Sequence, residues 1–102
     1  HNVAWSDGRT LDKHGRLPDV GNTVDLNTGR HTNSIGTSEL SVLWEDPGFN
    51  PDQRAFYYIR VMQIPTARHS LFDAIALQAM DLDNGPKTIQ ERAYSSPIWY
   101  TP

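Results

Sequence analysis

The side chains able to do chemistry are few in this 102-residue sequence, and their spacing suits little of it. The four His are His1, His14, His31 and His69. No two stand at i, i+2 or i, i+4, the spacings that bring a pair of imidazoles onto one metal ion, so a metal site would need ligands gathered from distant loops. Asp7, Asp12, Asp19 and Asp25 lie in Gly-rich sequence, but without the alternating ligands, central Gly and closing Glu of an EF-hand calcium loop. They read as solvated loop charges, and the His as exposed loop residues. With no Cys there is no thiolate nucleophile, thiolate metal ligand or disulfide. A Gly-x-Ser-x-Gly elbow and a Gly-rich phosphate loop are also missing from the sequence.

Two places remain. Arg60 stands in the middle of an apolar run, on the face of Tyr58 and Met62. A guanidinium there needs a carboxylate or aromatic partner, which Glu91 or Glu45 could supply. It reads either as a structural pair or as a residue facing a neighbouring domain. Arg68, His69 and Asp73 follow the end of the same run and form the best polar cluster for the margin of a site, because loops at strand ends carry function disproportionately. The plainer alternative is helix-cap chemistry. Arg60, Arg68, His69 and Asp73 are therefore binding or domain-interface candidates. No residue is assigned a catalytic role or a metal.

The elements that must position these residues are mostly β. Val3 and Trp5 alternate with Asn2, Ala4 and Ser6, and Val24 and Leu26 alternate with polar neighbours. Residues 6–38 otherwise read as long loops punctuated by Gly and Pro. Leu40, Val42 and Trp44 alternate with Glu39, Ser41 and Leu43, and residues 55–64 are rich in aromatic and β-branched types. These two runs are expected to form an antiparallel pair, the second being a central strand covered on both faces. The period changes at residues 70–79, where Leu71, Ile75, Gln78 and then Leu82 share a helical face with Ala74 beside it. Ser70 and Asp73 resemble a capping box. Asn84-Gly85-Pro86 stops the helix. Residues 88–94 and 97–100 are two further β-runs, with a bend or bulge at Ser95-Ser96-Pro97. The fold class is mainly β: an antiparallel, β-sandwich-like region with long loops and one short helix near 70–79. It is one domain or a fragment of one, loop-rich over 6–38 and core-forming over 39–102.

Composition narrows the function classes. Residues 1–38 hold 9 of the 38 hydrophobic residues and 5 of the 7 Gly, so one part of the chain can build a core and the other mostly cannot. A net charge of −3 gives no electrostatic footprint for nucleic acid. No apolar run is long enough to span a membrane. The chain begins at His1 without a signal peptide, and so reads as processed or as a fragment.

Several stretches carry a resemblance: Asp19-Val20-Gly21-Asn22-Thr23-Val24-Asp25, Ala55-Phe56-Tyr57-Tyr58-Ile59-Arg60-Val61, Ile64-Pro65-Thr66, and above all Gln90-Glu91-Arg92-Ala93-Tyr94-Ser95-Ser96-Pro97-Ile98-Trp99-Tyr100. From Trp5 to Pro102 the chain resembles the C-terminal end of the bacterial domain-of-unknown-function family 3604. Its members resemble metal-dependent hydrolases of the polymerase-and-histidinol-phosphatase (PHP) superfamily, with a His-x-His element far upstream of the matched region. One departure is that Ala67 and His69 stand where family sequences often carry Pro and Trp. The resemblance implies a non-catalytic C-terminal accessory region that stabilises or flanks the active site of a larger protein. It implies no cofactor in this chain, a divalent metal in the parent protein, and an N-terminal catalytic domain of the same protein as partner. It also implies a periplasmic or secreted setting. Self-association through an open face is a further expectation. The alternatives are a stand-alone module binding carbohydrate or protein through Trp5, Trp44, Trp99 and Tyr100, and an enzyme domain built on Arg68, His69, Asp73 and the long loops.

Overall fold

A computed structural model describes residues 1–79 and 85–102. Leu82 and Asn84, expected to end the helical face and stop the helix, lie outside the described residues. The chain is mainly β and antiparallel, with one short helix and long loops, in line with the expected class. Its elements are β1 (Ala55–Tyr57), β2 (Arg60–Met62), β3 (Thr66–Ala67), α1 (His69–Ala76), β4 (Thr88–Ile89), β5 (Arg92–Tyr94) and β6 (Ile98–Tyr100). No helix among the described residues is long and apolar enough to cross a membrane.

The strands nest. β1 pairs with β6, β2 with β5 and β3 with β4, all antiparallel, so residues 55–67 run out and 88–100 run back as one interrupted ribbon. Between the first two pairings, Tyr58 and Ile59 lie opposite Ser95, Ser96 and Pro97, which places the expected bulge at those three residues. Hydrogen bonds bridge it: the Ile59 N–H donates to Ser95 Oγ (2.8 Å) and the Ser95 N–H to the Ile59 carbonyl (2.9 Å). Between the second and third pairings the extra residue is on the outgoing strand, where Gln63, Ile64 and Pro65 face Gln90 and Glu91. The Gln63 N–H donates to the Glu91 carbonyl there (2.9 Å).

The expected pairing of 39–44 with 55–64 is overturned. Residues 39–44 form no strand, and Leu40, Val42 and Leu43 are exposed. Alternation marks an extended backbone but not its partner. The partner is decided by cross-strand side chains, and Phe56 opposite Trp99 is an aromatic pair that 39–44 does not match. The 55–64 run is likewise not covered on both sides, since Phe56, Tyr58, Ile59 and Val61 are each more than half exposed. Nor do Val3–Trp5 or residues 23–28 form strands.

The helix sits in the return of the ribbon. It begins one residue earlier than expected, and Arg68, not Ser70, is the N-cap, without a side-chain cap bond. The capping box is therefore absent, and the Ser70 hydroxyl has no partner. The helix ends in a Schellman turn. Gln78 takes a left-handed φ of 52°, its N–H donates to the Ile75 carbonyl, and the Ala79 N–H donates to the Ala74 carbonyl. Leu71 (0% exposed) and Ala74 are the buried hydrophobic residues among those described.

The N-terminal loops close through local turn chemistry. The Asp12 carboxylate accepts from the His14 and Arg16 N–H groups, and the Asp25 carboxylate accepts from the Asn27 N–H. Residues 25–30 fold into a tight turn, with the Asp25 N–H donating to the Arg30 carbonyl and the Gly29 N–H to the Asp25 carbonyl, both at 2.7 Å. Gly29, at φ +73°, lies against the Phe72 ring of α1. Asn22 Nδ2 donates to Thr88 Oγ1 (3.2 Å), so the same loop also touches β4.

The result is an open molecule. Its radius of gyration is 18.5 Å, against about 13 Å for a compact chain of this length. It exposes 8528 Å², roughly 2,700 Å² more than the ~5,800 Å² of a compact monomer of this mass.

Candidate functional site

Arg68 and His69 stand where β3 turns into α1, and Asp73 lies one helical turn on. Arg68 is extended and tied to the return strand through its N–H on the Lys87 carbonyl (3.0 Å) and its Nη1 on the Pro86 carbonyl (3.2 Å). One residue on, His69 Nε2 lies 3.2 Å from Asp73 Oδ2, one helical turn away, with both side chains well exposed. An exposed pair of this kind holds a geometry but adds little stability. Among the described residues, no group of three or more His, Asp or Glu side chains gathers around one point.

Arg60 is on β2, and its cross-strand partner is Tyr94. The carboxylate expected from Glu91 or Glu45 is replaced by a phenol. The guanidinium of Arg60 first, then that of Arg92, favours the charged phenolate of Tyr94 and lowers its pKa from the ordinary tyrosine value. On the other face Tyr57 does the reverse. Its hydroxyl donates to Asp46 Oδ2 at 2.7 Å, and that bond, reinforced by burial and the carboxylate charge, raises its pKa.

An alkaline spectrophotometric titration should therefore show Tyr94 ionising before Tyr57, with Arg60→Ala moving Tyr94 back toward the ordinary value. The sign for stability follows. Tyr94, depressed in the folded state, adds stability above its unfolded pKa and loses it as pH falls. Tyr57, raised, adds stability below its unfolded pKa and loses it as pH rises through the folded one. Simultaneous ionisation of the two would contradict this geometry.

The two ribbon faces differ. On one, residues 44–51 pack over the β1–β6 end: Trp44 meets the Tyr57 ring (6.4 Å), Phe49 meets Tyr100 (4.9 Å), and the Tyr100 hydroxyl donates to the Pro51 carbonyl (2.9 Å). On the other, Trp99, Phe56, Tyr58 and Tyr94 form a continuous row with successive centroid separations of 5.2, 6.3 and 6.2 Å. All four are more than half exposed, Trp99 reaching 71%. Of the four platform candidates, only Trp99 is in this row. Trp44 and Tyr100 belong to the covered face, and the Trp5 indole donates to the Arg9 carbonyl. Phe56, Tyr58, Tyr94 and Arg92 were missed as site residues. The even-numbered face of 55–62 was legible, but its union with residues 92–99 depends on the pairing.

Fold and surface define an open antiparallel β-ribbon module with an unsheltered aromatic face. Residues 1–102 match the family model described as Protein of unknown function (DUF3604), and the chain belongs to that family. No curated protein and no solved structure matches it.

Proposed function

We propose that residues 1–102 are a non-catalytic, C-terminal accessory β-region of a larger PHP-like metal-dependent hydrolase, which they stabilise and whose active-site cleft they flank. The carrying observation is the excess exposed surface. A two-stranded ribbon is marginal alone in water. The roughly 2,700 Å² by which this chain exceeds a compact monomer is of the order that one partner buries in a large obligate interface. Family membership and the closing motif around residues 90–100 support the same reading. Arg68, His69 and Asp73 are then candidates for the cleft rim.

The test is a metal-dependent phosphoester hydrolysis assay on the complete protein, with zinc or manganese. His69→Ala is expected to raise KM while leaving kcat and bound-metal content unchanged. Loss of the metal with that substitution, or turnover by residues 1–102 alone, would overturn the proposal.

A stand-alone binding module is the second reading, favoured by the exposed Trp99–Phe56–Tyr58–Tyr94 row. It requires the isolated chain to unfold cooperatively as a monomer and to bind oligosaccharide. The excess area is far more than a short sugar chain covers, so we rank it second.

A further inference from the structure

We propose that the face carrying Phe56, Tyr58, Tyr94 and Trp99, with Arg60 and Arg92 at one end, docks the larger domain of the same protein through an apolar surface that bears carboxylates opposite the two guanidinia. This rests on the accessory-region reading and names the surface through which it operates.

Three observations select this face and this occupant. First, residues 44–51 of the chain lie over Tyr57 and Tyr100 on the opposite face, though Ile98 there stays 71% exposed, while no segment lies over the four rings of the aromatic row, each more than half exposed. Second, the charge is lopsided. The chain carries a net −3, yet the register puts Arg60 and Arg92 on the aromatic face, and neither has a carboxylate partner among the described residues. Two guanidinia beside four aromatic rings make an apolar anchor with a positive margin, and aromatic and Arg side chains are the types that dominate binding energy at protein interfaces. Third, the chain as a whole exposes roughly 2,700 Å² more than a compact monomer of its mass, an excess of protein-interface size, and this row is the contiguous aromatic part of that surface. The depressed pKa of Tyr94 supports the same surplus of positive charge at that end.

Hydroxyl-radical footprinting of the complete protein, read by mass spectrometry, tests this alongside the hydrolysis assay. Trp99, Tyr58 and Tyr94 are expected to label at the rate of buried side chains, while Leu43 labels as an exposed one. Combining Arg60→Glu with Arg92→Glu is expected to abolish the protection of Trp99, and the matching pair of Lys substitutions to retain most of it. The docking proposal is overturned if Trp99 labels freely in the complete protein, or if protection survives charge reversal. It is also overturned if protection rises with protein concentration together with a dimer in light scattering, which would make a second copy the occupant. Protection that appears only with added oligogalacturonate would make the occupant an acidic sugar chain, with the same consequence. A hydrolytically active protein with a free Trp99 would sink the docking surface and leave the accessory reading standing. A protected, charge-sensitive Trp99 in a protein without hydrolase activity would do the opposite.

Discussion

Leu71→Ala is expected to detach helix α1 and to cost about 2–5 kcal/mol, the range for truncating a buried Leu that leaves a cavity. Leu71 is the single large side chain with no exposed surface among the described residues. An eight-residue helix is far below the length that holds itself together in water, so α1 persists through what it buries. Its first turn lacks a side-chain cap, and its first turn has no acidic residue nor its last turn a basic one, so nothing electrostatic at its ends replaces the lost packing. Against a typical domain stability of about 5–15 kcal/mol, the loss would be large. The matched control is Leu77→Ala, at a position 75% exposed, which should stay within about 0.5 kcal/mol. Denaturant unfolding of the complete protein, with amide exchange followed over residues 69–76, distinguishes the two. Equal effects at Leu71 and Leu77 would show that α1 is not anchored through its buried face.

What could be read from the sequence divides along a physical line. Local signals carried through. The change of period near residue 70 marked a helix that spans His69–Ala76, and the Pro97 neighbourhood marked a bulge. The two runs at 88–94 and 97–100 contain β4, β5 and β6. Non-local choices did not carry through. Residues 39–44 and 92–100 both alternate, and both could have paired with 55–64. What separates them is the fit of Phe56 to Trp99 and of Arg60 to Tyr94, which appears only once a register exists. The same limit governed the site. His69 and Asp73 are close in sequence and pair one helical turn apart, while the neighbouring Arg68 side chain turns to the Pro86 carbonyl instead. The aromatic row joins residues about forty positions apart, and two of its members, Phe56 and Tyr58, lie in a run whose two-sided apolar pattern reads as a strand covered on both sides. That pattern implies cover only if a two-sided apolar strand is sheltered by its own chain. The exposure of both faces shows that here it is not.

Gly29→Ala is expected to be nearly as damaging, for two separable reasons. Its backbone has φ +73°, where an L side chain costs about 1–2 kcal/mol. Gly29 is also buried, and an added Cβ would collide with the Phe72 ring, an overpacking that costs typically about 1–3 kcal/mol. Gly8→Ala separates the terms. Gly8 has φ +78° with open space around it, so alanine there should cost only the backbone part. Phe72→Ala in the Gly29→Ala background removes the collision but not the strained φ. The double-mutant cycle should then give a favourable coupling of about 0.5–3 kcal/mol, measured by denaturant unfolding. A coupling near zero would mean that Phe72 swings away freely and that the turn is not docked on α1. The consequence reaches beyond one turn. The 25–30 turn belongs to the hydrophobic-poor half of the chain, and Phe72 belongs to the helix at the far end of the ribbon. Their meeting at Gly29, with the Asn22–Thr88 hydrogen bond beside it, ties the loop half to the ribbon half. Loosening that joint should therefore raise amide exchange across residues 25–30 and across α1 together, whereas Gly8→Ala should leave both unchanged.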